Sequence, residues 1–377
     1  MTDATMPIDD FAAKVLAGAR AGIEPHVDAW EAAAHTPVEP LLEFAAEFGL
    51  TALTLPASRG GTPRPWRDIV RIARVMGRVY RALGFVLVNN IVASYLAAVA
   101  TDAQWARWGR PVAAAETLSV LALTEPQAGN DLGAVDAEAV PADGGFRLNG
   151  VKSFVPNADQ VEFALVAARL GKERPPSMFV IEPNGPGVTT TRMGPTLALR
   201  GVHLCEIHLD DAFVPSDHML GEEDGGLSQL WPHLQGSRLN TSGLAVGGAE
   251  EALDLAVAYA TRTKRFGGAL VDNGAVQQRL ADMAIGVETA ARYLDHAAAV
   301  MDEGSEDLQH ALSVAKVLST DSAMRVTTDA VQLLGGWGYL ESHKVERLMR
   351  EAKLNQIVDG ANDIHRTLIA RGLGEVG

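Results

Sequence analysis

The chain has one cysteine, Cys205, in 377 residues. No internal disulfide and no multi-cysteine metal centre can be built from it. It sits in "HLCEIHLDD", an apparent strand, where a small apolar filler is expected. Positive charge is also scarce: 32 Lys and Arg stand against 47 Asp and Glu, a formal net charge of −15. That balance argues against a nucleic-acid surface, which needs a basic stripe. It does not exclude a phosphorylated small molecule held by a few local arginines. The 10 histidines show no H-E-x-x-H or similar spacing, so no metal site is expected. No G-x-G-x-x-G is present, and no strand–helix alternation supports a doubly wound sheet. No apolar run is both long and clean. "LGFVLVNNIVASYLAAVA" is interrupted by Asn89, Asn90 and Ser94 and reads as a buried helix, not a membrane span. "MTDATMPIDDF" is acidic and lacks a signal-peptide n-region, so a cytoplasmic protein is expected.

What is present is length and a change of period. The chain can bury a large core, divided into two or three subdomains. Up to roughly residue 115 the signals are helical. "VEPLLEFAAEFGL" puts Leu41, Phe44, Ala45 and Phe48 on one face, with Gly49 as C-cap. "ASRGGTPRP" reads as a loop. From roughly 118 to 220, "FRLNGVKSFVP", "VEFALVAARL", "SMFVIEP" and "LCEIHLDDAFVP" read as strands, with "PADGG" a hairpin turn. The blocks "EED" (222–224) and "DEGSED" (302–307) read as solvated loops. Beyond them, Val276, Leu280, Met283, Val287, Ala291, Leu294 and Ala298 form one helical stripe. Leu308, Leu312, Ala315, Ser319, Ala323, Val326, Ala330 and Leu333 form a second. Two long stripes with a short connection predict an antiparallel bundle. The expected fold is α+β and multidomain. It has an N-terminal helical domain (1–117), a middle β-barrel or sandwich domain (118–222) and a C-terminal four-helix bundle (223–377).

Four segments carry candidate chemistry. "LALTEPQAGNDLG" offers a Thr hydroxyl, a Pro-fixed turn and an Ala-Gly pair that let backbone approach a flat or phosphorylated ligand; alone it could be an acidic turn. In "NGVKSFVPNA", Phe154 is either an aromatic stacking platform or core. In "QLLGGWGYLESHKVERLMREAKLNQIVDG", the glycines either bring backbone close to a cofactor or end a helix. In "NQIVDGANDIHRTLIAR", Asp359 is either a helix cap or a base.

In order and spacing, these segments resemble the acyl-CoA dehydrogenase family of flavoproteins. "ALTEPQAGND" is similar to T-E-P-x-A-G-S-D, and "GVKSFVPNA" to G-x-K-x-(W/F)-(I/V)-(T/S)-N-(A/G). "QLLGGWGY", "ERLMREAK" and "IVDGANDIHRTLIAR" resemble Q-x-x-G-G-x-G-Y, E-R-x-x-R-D-A-K and E-G-T-x-x-I-x-R. The likeness spans nearly the whole chain. It implies FAD as cofactor and oxidation of an acyl thioester, on coenzyme A or an acyl-carrier protein, to its α,β-unsaturated product.

The resemblance makes Asp359 the base that takes the α-proton, where most members have Glu. The Asp359 N–H polarises the substrate carbonyl. Ser237 stands where some members keep an alternative base, and Arg238 beside it lies near the substrate, as do Asn130 and Gly360. The flavin is bordered by Leu121, Leu123, Thr124, Gly129 and Asn130, the last replacing Ser. Phe154 is the flavin-stacking aromatic, and Pro156 replaces a Ser or Thr. A further set comes from a neighbouring subunit in the family. Tyr259, Phe266, Gly267 and Leu270 match it, whereas Thr263 and Gly274 replace an Arg and a Gln; Arg262 or Arg265 would substitute for the Arg. Gln332, Gly335, Gly336 and Asp363 are assigned to the cofactor, with Ala361 where a Thr is usual. An electron-transfer flavoprotein is the implied acceptor and a homotetramer the implied assembly. Three departures keep other readings open. The lost nucleotide-side contacts suit one half of a heteromer or a non-catalytic subunit. Asp359 and Pro156 suit a flavin oxidase or hydroxylase. Asn89 and Asn90 suit either a polar or branched acyl group or contacts to a neighbouring helix.

Overall fold

The computed structural model describes residues 6–265 and 267–374. Helices come first: α1 (Ile8–Gly22), α2 (Glu24–Ala32), α3 (Val38–Phe48), α4 (Trp66–Gly77), α5 (Gly84–Val99) and the short turns α6 (Asp102–Gln104) and α7 (Arg110–Ala113). Strands follow: β1 (Ser119–Ala122), β2 (Glu138–Ala142), β3 (Gly145–Pro156), β4 (Phe163–Arg169), β5 (Pro176–Ile181), β6 (Val188–Arg192), β7 (Leu204–Pro215) and β8 (Met219–Leu220). The chain then returns to helix with α8 (Gly226–Arg262). After the short pair β9 (Lys264–Arg265) and β10 (Gly268–Ala269) come α9 (Gly274–Glu303), α10 (Leu308–Leu334), α11 (Lys344–Asn355) and α12 (Asn362–Gly372). The order is helices, sheet, helices, as the change of hydrophobic period predicts. By compactness the described residues form two units, 25–64 with 85–237, and 6–24 with 65–84 and 238–374.

The first unit is built on one sheet in the order β6-β7-β3-β2-β4-β5-β8, with β1 parallel to β4. Alternation along β4 explains its continuous apolar run. Phe163, Leu165 and Ala167 join a cluster with Val92 and Leu96 of α5. Ala164, Val166 and Ala168 join a second cluster with Phe179, Ile207 and Cys205. Both faces are therefore buried, and period two is hidden in the sequence because neither face is polar. Cys205 is the filler expected of it. β2 and β3 form the expected hairpin, with Gly144 at φ 77° in its turn. α3 buries Leu41, Phe44, Ala45 and Phe48, and Gly49 at φ 59° closes it.

Asn89 and Asn90 do not face a neighbouring helix. Asn89 donates to the Thr117 carbonyl at 2.8 Å and accepts from Ser119 N and Oγ at 2.9 Å each. Asn90 accepts from Thr54 N at 3.1 Å and from Thr54 Oγ1 at 3.2 Å. Both amides pin α5 to non-helical backbone whose polar groups would otherwise be buried unpaired. The stretch Arg81–Val99 is long and apolar enough to cross a membrane, and 67% of its most apolar window is buried inside the protein.

In the second unit the two predicted stripes meet. Met283 and Val287 pack with Ala323, Val326 and Ala330, and Leu294 and Ala298 pack with Leu312 and Ala315, so α9 and α10 run antiparallel. α4 crosses α8 at glycines: a Cβ on Gly247 would lie 1.8 Å from the Arg74 carbonyl, and one on Gly77 2.2 Å from that of Leu244. Only glycine permits so close a crossing. One expectation fails here. Asp302 and Glu303 of the "DEGSED" block end α9, and the Asp302 carboxylate accepts from Trp66 N at 2.6 Å and Arg67 N at 3.2 Å. It satisfies the first-turn donors of α4 and is no solvated loop residue.

Candidate active site

Asp359 lies on the link between α11 and α12. It adopts φ 56°, and Gly360 follows at φ 89°. A non-glycine residue in the left-handed region costs about 1 kcal/mol or more and persists only where its surroundings hold it. Those surroundings are specific. The Asp359 carbonyl lies 3.1 Å from His365 Nε2. The Gly360 carbonyl accepts from Lys316 Nζ at 2.7 Å, and Lys316 also donates to Asn362 Oδ1 at 2.9 Å. Asn362 Nδ2 and Gln356 Nε2 both donate to Asp321, at 2.7 and 2.6 Å. The carboxylate itself accepts from Thr241 Oγ1 on α8 through Oδ2. The N-cap position of α12 is Ala361, so Asp359 does not cap that helix.

Burial sets the charge states around the turn. Desolvation pulls His365 down to about 4, so its ring is neutral near pH 7. A carbonyl only accepts, so the neutral ring carries its proton on Nε2 and leaves Nδ1 to accept from Ser313 Oγ at 3.2 Å. Ser313 accepts in turn from Gln309 Nε2 at 3.0 Å, and Gln309 Oε1 accepts from Arg238 at 3.2 Å. A hydrogen-bonded chain thus links Arg238 to the backbone of Asp359. Lys316 is fully buried, and desolvation brings it to about 8 against the pull of Asp359 and Asp321. Thr241, Lys316, His365 and Arg81 escaped sequence reasoning. The one available signal was Lys316, a lysine set among the small and apolar helix residues of "SVAKVLS".

The residues assigned to the flavin side lie in the first unit. Leu123 is buried, with its side chain in the α5–β4 cluster, and Leu121 packs against that cluster. Thr124 is half-buried, while Gly129 and Asn130 are exposed. Glu125 and Ala128 exchange backbone hydrogen bonds of 2.9 and 3.0 Å, which tightens the loop. The loop is anchored inward by Glu125. Its carboxylate meets Lys152 Nζ at 2.5 Å and accepts from Asp136 N at 2.7 Å and Ala137 N at 3.1 Å. Burial alone would raise the Glu125 carboxyl, but Lys152 and these two N–H groups hold it below its ordinary value. The sheet register slips between Lys152 and Val155. Within that bulge Phe154 adopts φ 57° and leaves 57% of its surface exposed. A strand Phe is ordinarily buried, so this ring is displayed at a cost in backbone strain. Pro156 ends β3, half-buried.

The second unit carries a groove of about 600 Å³ lined by Tyr259, Arg265, Leu270, Gly335, Gly336, Trp337 and Leu340 among others. A Cβ on Gly335 or Gly336 would meet nothing within 4 Å, so their backbone is open to a ligand. Gln332 is exposed on α10. Asp363 is exposed and lies 3.5 Å from Arg366. Phe266 lies outside the described residues. A displayed aromatic ring and an anchored loop with open glycine backbone suit a planar ring. A groove with glycine backbone and an arginine suits a nucleotide. The residues present therefore fit FAD.

Comparison with known proteins agrees. The chain matches the acyl-CoA dehydrogenase N-terminal domain over residues 8–116, the middle domain over 120–212 and the C-terminal domain over 224–374. It is 32% identical over 361 residues to an acyl-CoA dehydrogenase of Bacillus subtilis, covering 94% of each chain. It is 34% identical over 336 residues to cyclohex-1-ene-1-carbonyl-CoA dehydrogenase of Geobacter metallireducens, covering 88% of each. The structure of butyryl-CoA dehydrogenase from Megasphaera elsdenii superposes with a TM-score of 0.90 at 27% identity, over 99% of this chain and 98% of that one. The protein belongs to the acyl-CoA dehydrogenase family, FAD-dependent oxidoreductases that act on CH–CH bonds.

Proposed function

We propose that the protein oxidises the thioester of coenzyme A and a carboxylic acid between its α and β carbons, with Asp359 as the base. The observation that carries this reading is the Asp359 turn. A carboxylate stands on a left-handed residue whose own carbonyl and the next are both fastened, and whose Oδ2 is held by Thr241. Such fastening fixes a base to within a fraction of an ångström, the tolerance that proton abstraction demands. Asp359 takes the α-proton. Its N–H donates to the thioester oxygen and stabilises the negative charge that develops there. Thr241 aims the carboxylate. The Arg238–Gln309–Ser313–His365 chain and Lys316 keep the turn from relaxing.

The chemistry that FAD would supply when bound is acceptance of the β-hydrogen as hydride. Leu121, Leu123, Thr124, Gly129, Asn130, Phe154 and Pro156 would hold its flavin side, with Phe154 offering its exposed ring. Arg265, Phe266, Gln332, Gly335, Gly336, Ala361 and Asp363 would serve its nucleotide side, contributed across a homotetramer. An electron-transfer flavoprotein would be the electron acceptor. These assignments rest on motif positions and, for Gly129, Asn130, Phe154, Arg265, Gln332, Gly335, Gly336 and Asp363, also on exposure.

The test is spectroscopic. Purified protein should be yellow, and a panel of acyl-CoA thioesters should bleach it anaerobically. Asp359→Asn should stay yellow and lose bleaching by about 10³-fold or more. An unchanged rate in that variant removes Asp359 from the mechanism.

A further inference from the structure

Two backbone N–H groups at the β3 bulge fall outside the ladder. Lys152 pairs with Ile207 and Val155 with Cys205, so Ser153 and Phe154 stand out of the β3–β7 register. Backbone donors displaced in this way are answered from elsewhere. Ser153 N donates to the Thr124 carbonyl at 2.9 Å, which ties the bulge to the loop that carries Gly129 and Asn130. Phe154 N donates to Met193 Sδ at 3.4 Å. Met193 follows the last residue of β6, and its own N–H donates at 2.8 Å to the carbonyl of Leu204, the residue opposite Pro156 of β3. The sulfur therefore reaches Phe154 from neighbouring backbone of the same sheet. A thioether is a weak acceptor, and the residue it holds is in the strained left-handed region. A change at that sulfur is felt by the displayed ring.

The sulfur is also open to reagents. Met193 keeps 41% of its surface exposed and is the one exposed methionine among the described residues, whereas Met76, Met178 and Met283 are buried. Cys205 is fully buried, and burial together with the Asp159 charge pushes its thiol up, away from the thiolate that a peroxide attacks. Among the described residues a peroxide thus meets one exposed sulfur, and it is the sulfur that holds Phe154.

We infer that Met193 is a peroxide-modification site, whose oxidation to the sulfoxide weakens FAD binding by unseating Phe154. The inference rests on the assignment of Phe154 to the flavin side. The sulfur lone pair attacks one oxygen of hydrogen peroxide. An S–O bond forms as the O–O bond breaks; sulfur is oxidised, peroxide is reduced, and the second oxygen leaves as water with both hydrogens. The apolar thioether becomes a polar sulfoxide, whose oxygen stands one bond beyond the sulfur and accepts more strongly. The Phe154 N–H follows that oxygen, and the ring turns with its backbone. Reduction of the sulfoxide by a methionine sulfoxide reductase returns the weak acceptor, so the modification is reversible.

Full-length protein freed of FAD is treated with hydrogen peroxide, quenched with catalase and digested for mass spectrometry. Met193 should gain its oxygen ahead of every other methionine. In a fluorescence titration the oxidised protein should bind FAD about three- to tenfold more weakly, and methionine sulfoxide reductase should restore the original Kd. Met193→Leu keeps an apolar side chain of similar volume without sulfur, and its Kd should not respond to peroxide. Oxidation of Met193 no faster than that of the half-buried Met219 and Met301 overturns the inference. So does an unchanged Kd after Met193 is oxidised, or an equal loss of affinity in peroxide-treated Met193→Leu. Phe154→Leu separates the inference from the reading it rests on. If that variant binds FAD as the wild type does, Phe154 is no flavin platform and the inference falls with it. If it binds more weakly while oxidation of Met193 leaves Kd unchanged, the platform stands and the modification site falls.

Discussion

Thr241 donates its hydroxyl proton to Asp359 Oδ2 across 118 residues of sequence. A hydrogen bond to a charged group contributes about 1.5–3 kcal/mol, and here it fixes the direction in which the carboxylate points. Thr241→Val keeps the shape and removes the donor. The rate of anaerobic flavin bleaching should fall by about 10- to 100-fold, with KM changed much less. Thr241→Ser should keep most of the rate. Stopped-flow bleaching with one acyl-CoA across the three proteins decides it; equal rates would show that the contact is packing only.

His365 makes the protein acid-sensitive. Its folded value near 4 lies below its ordinary 6.5, because burial, then Arg238 and Lys316, disfavour the charged ring against the pull of Asp359. Between those two values the unfolded chain binds more protons than the folded one. Stability contributed by the neutral ring is therefore full above about 6.5 and is lost as pH falls towards 4, up to about 3 kcal/mol. Urea midpoints should drop over this window in the wild type and drop less in His365→Gln, which can keep one hydrogen bond. Parallel curves for the two proteins would contradict the neutral, buried ring.

Phe154 should show opposed effects on stability and cofactor binding. Its left-handed backbone is strained and its ring is mostly exposed, so Phe154→Gly relieves strain while losing little buried surface. The apo-protein should be as stable as the wild type or more stable by up to about 1 kcal/mol. FAD affinity should fall about tenfold. Thermal unfolding without flavin and a fluorescence titration with FAD measure the two separately.

Lys152 and Glu125 form the buried pair behind the loop that carries Gly129 and Asn130. Lys152→Met strands a carboxylate in the interior and should cost about 3–5 kcal/mol. Adding Glu125→Gln removes the stranded charge while an amide oxygen still accepts from Asp136 and Ala137, so most of the loss should be recovered. FAD content of the single variant should be low and that of the double variant restored. Failure of the double variant to recover stability would show that the pair contributes more than mutual neutralisation.

What the sequence made legible was local or repetitive. The stripes on α9 and α10, Gly49 as a left-handed cap and the Asp143–Gly144 hairpin each depend on neighbours within a few positions. The motifs also marked where Asp359 and Phe154 would stand. What stayed hidden depends on distant segments meeting. Asp302 caps a helix that begins at Trp66, and its acidic context read as solvent-facing. Asn89 and Asn90 answer backbone donors and acceptors whose orphaned state no periodicity displays. Thr241, Lys316 and His365 converge on one turn from three helices, and each alone is an ordinary helix residue. The exposure of Phe154 follows from a slip in strand register, which alternation of residue types does not encode.

α8 carries Thr241 near one point of its length and Tyr259 further along, the first against Asp359 and the second in the groove lined by Gly335 and Gly336. At 1.5 Å per residue these side chains are set about 27 Å apart along a single rigid rod. The helix thus acts as a gauge between the Asp359 turn and the glycine-lined groove. One inserted residue between them would turn the far end by roughly 100° and swing Tyr259 off its groove, whereas the same insertion in the loop before Gly226 would leave the gauge intact.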